Sequence, residues 1–378
     1  MKNPFQYGGV VGKDAFCNRT KEQADLLRAM ENGEKVFLYS ERRLGKTSLV
    51  KLTLDRLPKK RFVTIYIDLW PTDGEQSFVT TVAKAITKSL STTTDSMLAT
   101  AKSLFSRLTP SITVDEEGNP SLTFGMNKST RGEPELDEAL ATPQKISKKG
   151  KKQVVIVFDE FQRILEYGND SVERKLRSII QTQSNVAYIF MGSRKHLIQK
   201  MFLEKSRPLY RSAAHYPIKA IAEKDWLPFI RSRFHQARKH ITDEQIRLIC
   251  NATQGHPFYT QHLCHVLWEL SDAGKNIPDQ LLDEAITILL ERESFAYTTL
   301  WDSLTQNQRR FVKALASEEL GVKPFSSEFI QKHRLGSISS MQRVVPTLSE
   351  KDVIEPENDS FIIVDRFFRL WLRRCEIA

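Results

Sequence analysis

The sequence predicts an α/β fold: a parallel sheet with helices on both faces, then a helical domain, then a small module of three helices and a hairpin. Three observations predict it. The apolar runs Val36-Phe37-Leu38-Tyr39 and Val154-Val155-Ile156-Val157-Phe158 read as strands buried on both faces. Helical stretches alternate with these and two further strand-like runs over the first half of the chain. Beyond about residue 220 the long apolar runs give way to helical spacing.

The first strand leads into Ser40-Glu41-Arg42-Arg43-Leu44-Gly45-Lys46-Thr47. Behind it, Leu49, Val50, Leu54 and Leu57 recur at helical spacing until Pro58 stops the pattern. A turn between a strand and a helix points successive backbone N–H groups, and the positive helix end, at one small volume. Residues Arg42, Arg43, Leu44, Gly45, Lys46, Thr47 and Ser48 therefore read as a phosphate-binding P-loop. The Arg42 and Arg43 side chains are expected to point outward while the backbone holds phosphate. Gly45 permits close approach to phosphate oxygens, Lys46 reaches the β and γ phosphates of ATP, and the Thr47 hydroxyl ligates magnesium. The pattern expects glycine at position 40, where this chain has serine.

A second motif supports the first. Val154–Phe158 ends in Asp159-Glu160, two carboxylates at the carboxyl end of a central strand. There Asp159 is placed to hold the magnesium water shell opposite Thr47, and Glu160 to polarise the attacking water. Two carboxylates favour hydrolysis over passive nucleotide binding.

Further parallel strands are expected at Phe62–Ile67, ending in Asp68, and at Val186–Met191, ending in Gly192-Ser193-Arg194. Residues 91–150 interrupt the alternation. Ser91–Asp95 is polar and breaks a helix. Ser111–Val114 and Ser121–Phe124 form a hairpin around Glu117-Gly118-Asn119-Pro120. Asp137–Ser147 is helical, and Lys148–Lys152 is a basic, solvated tract. The segment reads as an insertion too poor in apolar residues to bury much surface. The core thus spans 1–215.

Residues 216–298 read as a helical domain. Trp226, Phe229 and Ile230 keep helical spacing, as do Ile246, Ile249 and Cys250, and Tyr259, Leu263, Val266, Leu267 and Leu270 form a stripe. In 299–378, Thr305 and Gln308 start a helix with a capping box, and Ser327–His333 and Ser337–Leu348 supply two more. Val353-Ile354 and Phe361–Val364 flank Pro356-Glu357-Asn358-Asp359 as a wing, so the module matches a winged helix. Pro346 should kink its third helix. A last helix, Arg366–Arg374, alternates Phe367, Leu370 and Trp371 with arginines placed to meet phosphates or carboxylates. Trp226, Trp268, Trp301 and Trp371 are expected as packing anchors.

Composition narrows the class. No apolar run reaches the ~18 residues of a membrane span. Met1-Lys2-Asn3-Pro4 lacks a signal h-region, so a cytoplasmic location is expected. Cys17, Cys250, Cys264 and Cys375 lack paired spacing, which suits a reducing compartment and argues against zinc. His256, His262 and His265 lie near Cys264, but a helix turns the cysteine away from the face shared by His262 and His265. A net charge of +10 permits nucleic-acid contact without demanding it.

These residues together resemble the archaeal-type ATPases of the STAND class, within the AAA+ superfamily of P-loop proteins. The resemblance covers nearly the whole chain. It rests on Phe16-Cys17-Asn18-Arg19 with Glu22, the loop Arg42–Leu49, Phe158-Asp159-Glu160-Phe161-Gln162, and Gly192-Ser193-Arg194. It continues through Pro208-Leu209-Tyr210, which precedes Arg211, then Gly255-His256-Pro257 and Asp365-Arg366-Phe367-Phe368. The resemblance implies a five-stranded core, a helical lid and a winged helix. It also implies that Phe16 and Arg19 lie against adenine and ribose, that Arg194 senses the γ-phosphate, and that Pro257 places the lid against the base.

The expected function is an ATP-binding protein with slow magnesium-dependent hydrolysis, acting as a nucleotide-controlled switch for a protein partner, with oligomerisation open. The alternative is a winged-helix DNA-binding protein in which ATP sets conformation. DNA readout needs basic and amide side chains on the third helix, and Ser337–Leu348 offers Gln342 and Arg343. A small-metabolite kinase fits less well, because no acceptor-binding motif stands out and the winged helix has no use.

Overall fold

A computed structural model describes residues 2–91, 93–114, 118, 120–126, 133–357 and 359–374. Glu117, Asn119 and Asn358 of the two expected turns, and Cys375, lie outside the described residues. The chain divides into two compact units, Arg19–Lys219 and Met1–Asn18 with Ala220–Ala378.

The Arg19–Lys219 unit runs α1 (Thr20–Glu31), β1 (Lys35–Tyr39), α2 (Lys46–Leu54), β2 (Phe62–Asp68), α3 (Glu75–Leu90), α4 (Thr94–Leu104), β3 (Leu108–Val114) and β4 (Pro120–Met126). It continues with α5 (Glu133–Gly150), β5 (Gln153–Asp159), α6 (Ser171–Ile180), β6 (Val186–Gly192), α7 (Lys195–Leu203) and β7 (Ala214–Pro217). Five strands form a parallel sheet in the order β2-β5-β6-β1-β7, covered by helices. The central strands β5 and β6 are buried almost throughout, which explains their unbroken apolar sequence. Edge strand β7 is mostly exposed and ends in Pro217, a residue an edge tolerates because it needs no donor there. Its four residues carry no strand signal of their own.

The insertion is better packed than its composition suggests. Phe105, Leu108, Leu122, Leu136, Ala139 and Leu140 are all buried in the core cluster of this unit. Few apolar residues suffice because they fall on one face of each element, and small or polar neighbours such as Thr142 and Ser147 are buried with them. Glu138 fastens the hairpin to α5 by accepting from Ser106 N at 2.9 Å, Ser106 Oγ at 2.7 Å and Arg107 N at 3.0 Å. The polar break after α3 is real, but α4 follows it within four residues, capped by Thr93.

The other unit is helical: α8 (Glu223–Gln236), α9 (Asp243–Thr253), α10 (Pro257–Leu270) and α11 (Asp279–Asp302), then α12 (Gln306–Ser317), α13 (Ser327–Lys332) and α14 (Ile338–Glu350). The hairpin β8 (Ile354–Glu357) and β9 (Ser360–Ile363) and the last helix α15 (Arg366–Arg374) complete it. Thr305 and Gln308 cap α12 reciprocally, as their spacing predicts. Helix α14 runs unbroken through Pro346. Trp226, Trp268 and Trp301 are buried in one cluster, with Trp371 packed against it.

Three arginines of α15 meet backbone carbonyls, and Arg374 meets a carboxylate of the helical unit. Arg369 donates to Glu318 O at 2.9 Å, Arg373 to Ala316 O at 2.7 Å and Ser317 O at 3.2 Å. These are the carbonyls that end α12, where cations complement the helix dipole. Arg366 donates to Ile363 O and Val364 O, and Arg374 reaches Asp283 at 3.0 Å.

Gly255 joins α9 to α10. It has φ +65°, and the place of a Cβ is taken by Ile221 O, while its own carbonyl accepts from Ile221 N and Trp226 Nε1, both at 3.1 Å. Gly255→Ala therefore combines left-handed backbone strain with a backbone clash. It should lower stability by roughly 2–4 kcal/mol, measured by thermal or denaturant unfolding.

Candidate functional site

Strand β1 delivers the chain to Ser40, which is buried, and Gly45 turns it into α2 with φ +85°. No heavy atom lies within 4 Å of where a Gly45 Cβ would stand, so the loop borders open space. Leu44 is buried and pins the loop to the core, whereas Arg43 is exposed and Arg42 half-buried. Lys46 points back into the loop, donating to Ser40 Oγ at 2.8 Å, Glu41 O at 3.0 Å and Ser40 O at 3.4 Å. The serine at position 40 thus holds the loop together, since its hydroxyl accepts from Lys46 and donates to Glu41 O at 2.7 Å.

Arg19, buried at the head of α1, donates to Leu44 O at 3.1 Å and Lys219 O at 2.9 Å and pairs with Glu22 at 3.1 Å. Its guanidinium is a clamp on the phosphate loop itself. Phe16 and Pro257 belong to the other unit, where Phe16 is half-buried and Pro257 opens α10. In that unit His262 stacks on Tyr7 at 3.8 Å and His265 bonds Phe5 O at 2.9 Å.

Across the sheet, β5 ends in Asp159, buried beside the loop. Its Oδ2 accepts from Thr47 Oγ1 at 2.9 Å, and its Oδ1 from Glu160 N at 2.9 Å. Oδ2 also accepts a short bond from the Tyr66 hydroxyl of β2. Burial, reinforced by the Asp159 charge, pushes the Tyr66 phenol far above its ordinary range. A hydroxyl and a carboxylate face to face, next to an ammonium and a helix N-terminus, make a donor set that fits a divalent cation on a polyphosphate.

Glu160 stands in the left-handed region at φ +51°, which turns its side chain toward β6. Its Oε2 accepts from Ser193 Oγ at 2.8 Å and from the Gln162 amide. Gly192 is required beside it, because Gln162 and Ile198 occupy the space of a Cβ. Arg194 follows Ser193 at the start of α7 and has no side-chain partner among the described residues.

Known proteins resemble this chain in family and in fold. The family described as "ATPase domain predominantly from Archaea" matches residues 16–263, and a probable winged helix domain matches residues 295–374. The chain belongs to that ATPase family. Among solved structures, a Walker-type ATPase of Pyrococcus abyssi is similar at 17% identity and TM-score 0.63, over 96% of this chain and 97% of the other. The ORC2 protein of Aeropyrum pernix, in ADPNP–ADP complexes, is similar at 12% identity and TM-score 0.54, over 97% and 96%. No curated protein matches the sequence. Among the described residues no helix is long and apolar enough to cross a membrane.

Of the residues singled out in the sequence of this archaeal-type ATPase, Lys46, Thr47, Asp159, Glu160 and Arg194 gather at the carboxyl edge of the sheet. Tyr66 was missed. It lies on β2 two residues before Asp68, and only the pairing of β2 with β5 brings it to Asp159. The polar role of Ser193 was missed for the same reason, whereas Ser40 and Gln162 act within their own segments, on Lys46 and Glu160.

Tyr66→Phe removes a hydrogen bond to a carboxylate and should lower stability by about 1–2 kcal/mol at neutral pH. The raised phenol pKa stabilises the folded state in full below the unfolded value of about 10, and that contribution declines as pH rises above it. The gap between wild type and Tyr66→Phe should therefore shrink, by no more than about 1 kcal/mol between pH 10 and 11 after allowance for solvent screening. Urea unfolding at stepped pH measures it. A gap that is constant or widening contradicts the assignment.

Proposed function

We propose that this ATPase-family protein binds ATP with magnesium and hydrolyses it slowly, as a nucleotide-controlled switch for a partner protein in the cytoplasm, in the manner of the STAND class. The observation that carries this reading is the 2.9 Å bond from Thr47 Oγ1 to Asp159 Oδ2, beside the Lys46 ammonium. Magnesium bound there would neutralise charge on the phosphates. The backbone N–H groups from Arg42 to Ser48 hold the phosphates, and Arg19 keeps the loop in shape by gripping Leu44 O. Lys46 exchanges its Ser40 and Glu41 partners for phosphate oxygens. Thr47 and Asp159 would hold the cation between them.

Glu160 is assigned to the attacking water through Oε1, since Oε2 holds the bonds from Ser193 and Gln162. Arg194 is assigned to the γ-phosphate. Its neighbour Ser193 holds Glu160, so a shift of Arg194 on loss of the γ-phosphate disturbs the base directly. Phe16 and Pro257 are assigned to the base of the nucleotide. The ADPNP–ADP complexes of the ORC2 protein of Aeropyrum pernix support a fold that holds nucleotide in more than one state.

The winged helix favours a protein contact over DNA. The exposed positions of α14 are Ile338, Ser339, Gln342, Arg343, Pro346, Thr347 and Glu350, a face with one cation. The arginines of α15 are engaged with carbonyls and Asp283.

Two variants test the site. Lys46→Ala should abolish tight ATP binding in calorimetry. Glu160→Gln should bind ATP as wild type does while phosphate release falls at least about a hundredfold. Unchanged turnover in Glu160→Gln removes the assignment of the base, and unchanged affinity in Lys46→Ala removes the site.

A further inference from the structure

The edge of the sheet opposite the candidate site concentrates positive charge. Strands β2 and β5 are parallel neighbours whose register starts at Phe62 opposite Gln153. The segments that feed them, Lys59-Lys60-Arg61 and Lys148-Lys149-Gly150-Lys151-Lys152, are therefore brought side by side. Lys152 Nζ donates to Lys59 O at 3.1 Å across 93 residues of chain, and Gln153 N donates to Arg61 O at 2.9 Å. The two segments hold seven cations and no carboxylate. All are exposed except Lys152, which is half-buried, and none joins an ion pair among the described residues.

The surroundings reinforce the pattern. The next strand, β6, is entered through Gln181-Thr182-Gln183-Ser184-Asn185, a run of amides and hydroxyls, mostly exposed. Asp55, four residues before Lys59, and Glu31, whose carbonyl accepts from Gln153 Nε2 at 2.9 Å, offset less than half its charge. Neither basic segment contains an aromatic or a large aliphatic side chain. An anionic membrane surface would be met with an apolar anchor, and unstacked bases with aromatic platforms. Lysines on long stems without either suit phosphates along a backbone.

We propose that this edge binds the phosphate backbone of nucleic acid without reading its sequence. The surface stands apart from the nucleotide site. The seven residues of β2 and β5 rise ~3.3 Å each, which sets the cluster roughly 20 Å from Asp68 and Asp159 at the other strand ends. Backbone binding and ATP binding are thus separable by mutation, and the proposal does not depend on the hydrolysis assigned above.

The test is fluorescence anisotropy of the full chain with a labelled random-sequence duplex, without nucleotide, over a salt series. Replacing Lys148, Lys149, Lys151 and Lys152 together by Gln should weaken binding at low salt at least about tenfold. It should also flatten the log–log salt slope by about 0.9 for each phosphate that is no longer neutralised. Lys59→Gln with Lys60→Gln, on the other segment, should act in the same direction. Both variants should keep wild-type ATP affinity and thermal midpoint, and Arg343→Gln on α14 should keep wild-type duplex affinity. Unchanged duplex affinity and slope in both lysine variants overturns the proposal. So does loss of binding in Arg343→Gln alone. Competition by polyglutamate as effective as that by unlabelled duplex also overturns it and assigns the surface to an acidic protein.

Discussion

In-register parallel pairing of β1, β6 and β5 is the constraint on which the site depends. Tyr39, the last residue of β1, stands opposite Gly192, the last residue of β6, and Phe158 stands opposite Phe190. The three strands therefore end at nearly one level, and their carboxyl ends empty into one crevice. Strand β6 lies between the other two, so β1 and β5 are about 10 Å apart. The overhang of the phosphate loop and the first residues of α2 close that gap, and Thr47 meets Asp159 above Gly192. A slip of one residue in either pairing would turn Asp159 to the opposite face of the sheet.

What the sequence made legible follows from this constraint. A strand covered on both faces must be apolar throughout, so β1, β5 and β6 announced themselves, and their ends marked the loop and the acid pair. Strand β7 could not be read, because an edge strand of Ala214-His215-Tyr216-Pro217 needs little burial and draws its order from β1. Composition misled on the insertion, because burial depends on which face a residue occupies rather than on how many apolar residues there are. Side-chain partners fixed by pairing between distant strands, such as Tyr66 with Asp159, leave no local trace.

Net charge was the least readable property, since +10 says nothing about where cations are committed. In the helical unit the arginines of α15 satisfy the carbonyls that end α12. Arg369 carries the mark of that role: burial, then the neighbouring Arg373, lowers its pKa to about 10. A buried guanidinium is stable there because the carbonyls replace the water it has lost. The lysines at the foot of β2 and β5 are in the opposite condition, exposed except for Lys152 and without ion pairs among the described residues. Two clusters of cations thus differ in whether their charge remains available to an outside anion.

The same distinction bears on the acid pair. Asp159 is buried and fully engaged, by Thr47, Tyr66 and the Glu160 N–H, so its position is fixed by three elements at once. Glu160, one residue on, leaves the strand at positive φ and depends on the side chains of Ser193 and Gln162 for its alignment. Rigid placement suits the cation-holding role proposed for Asp159, whereas the base of the proposed switch must be able to lose its alignment. Because Ser193 and Arg194 are consecutive, whatever holds the arginine also fixes the serine that aligns the carboxylate. A bistable element needs only a few kcal/mol between its states, and the hydrogen bonds around one carboxylate are of that size. Coupling the proposed base to the residue beside the proposed phosphate sensor therefore requires no long pathway through the fold.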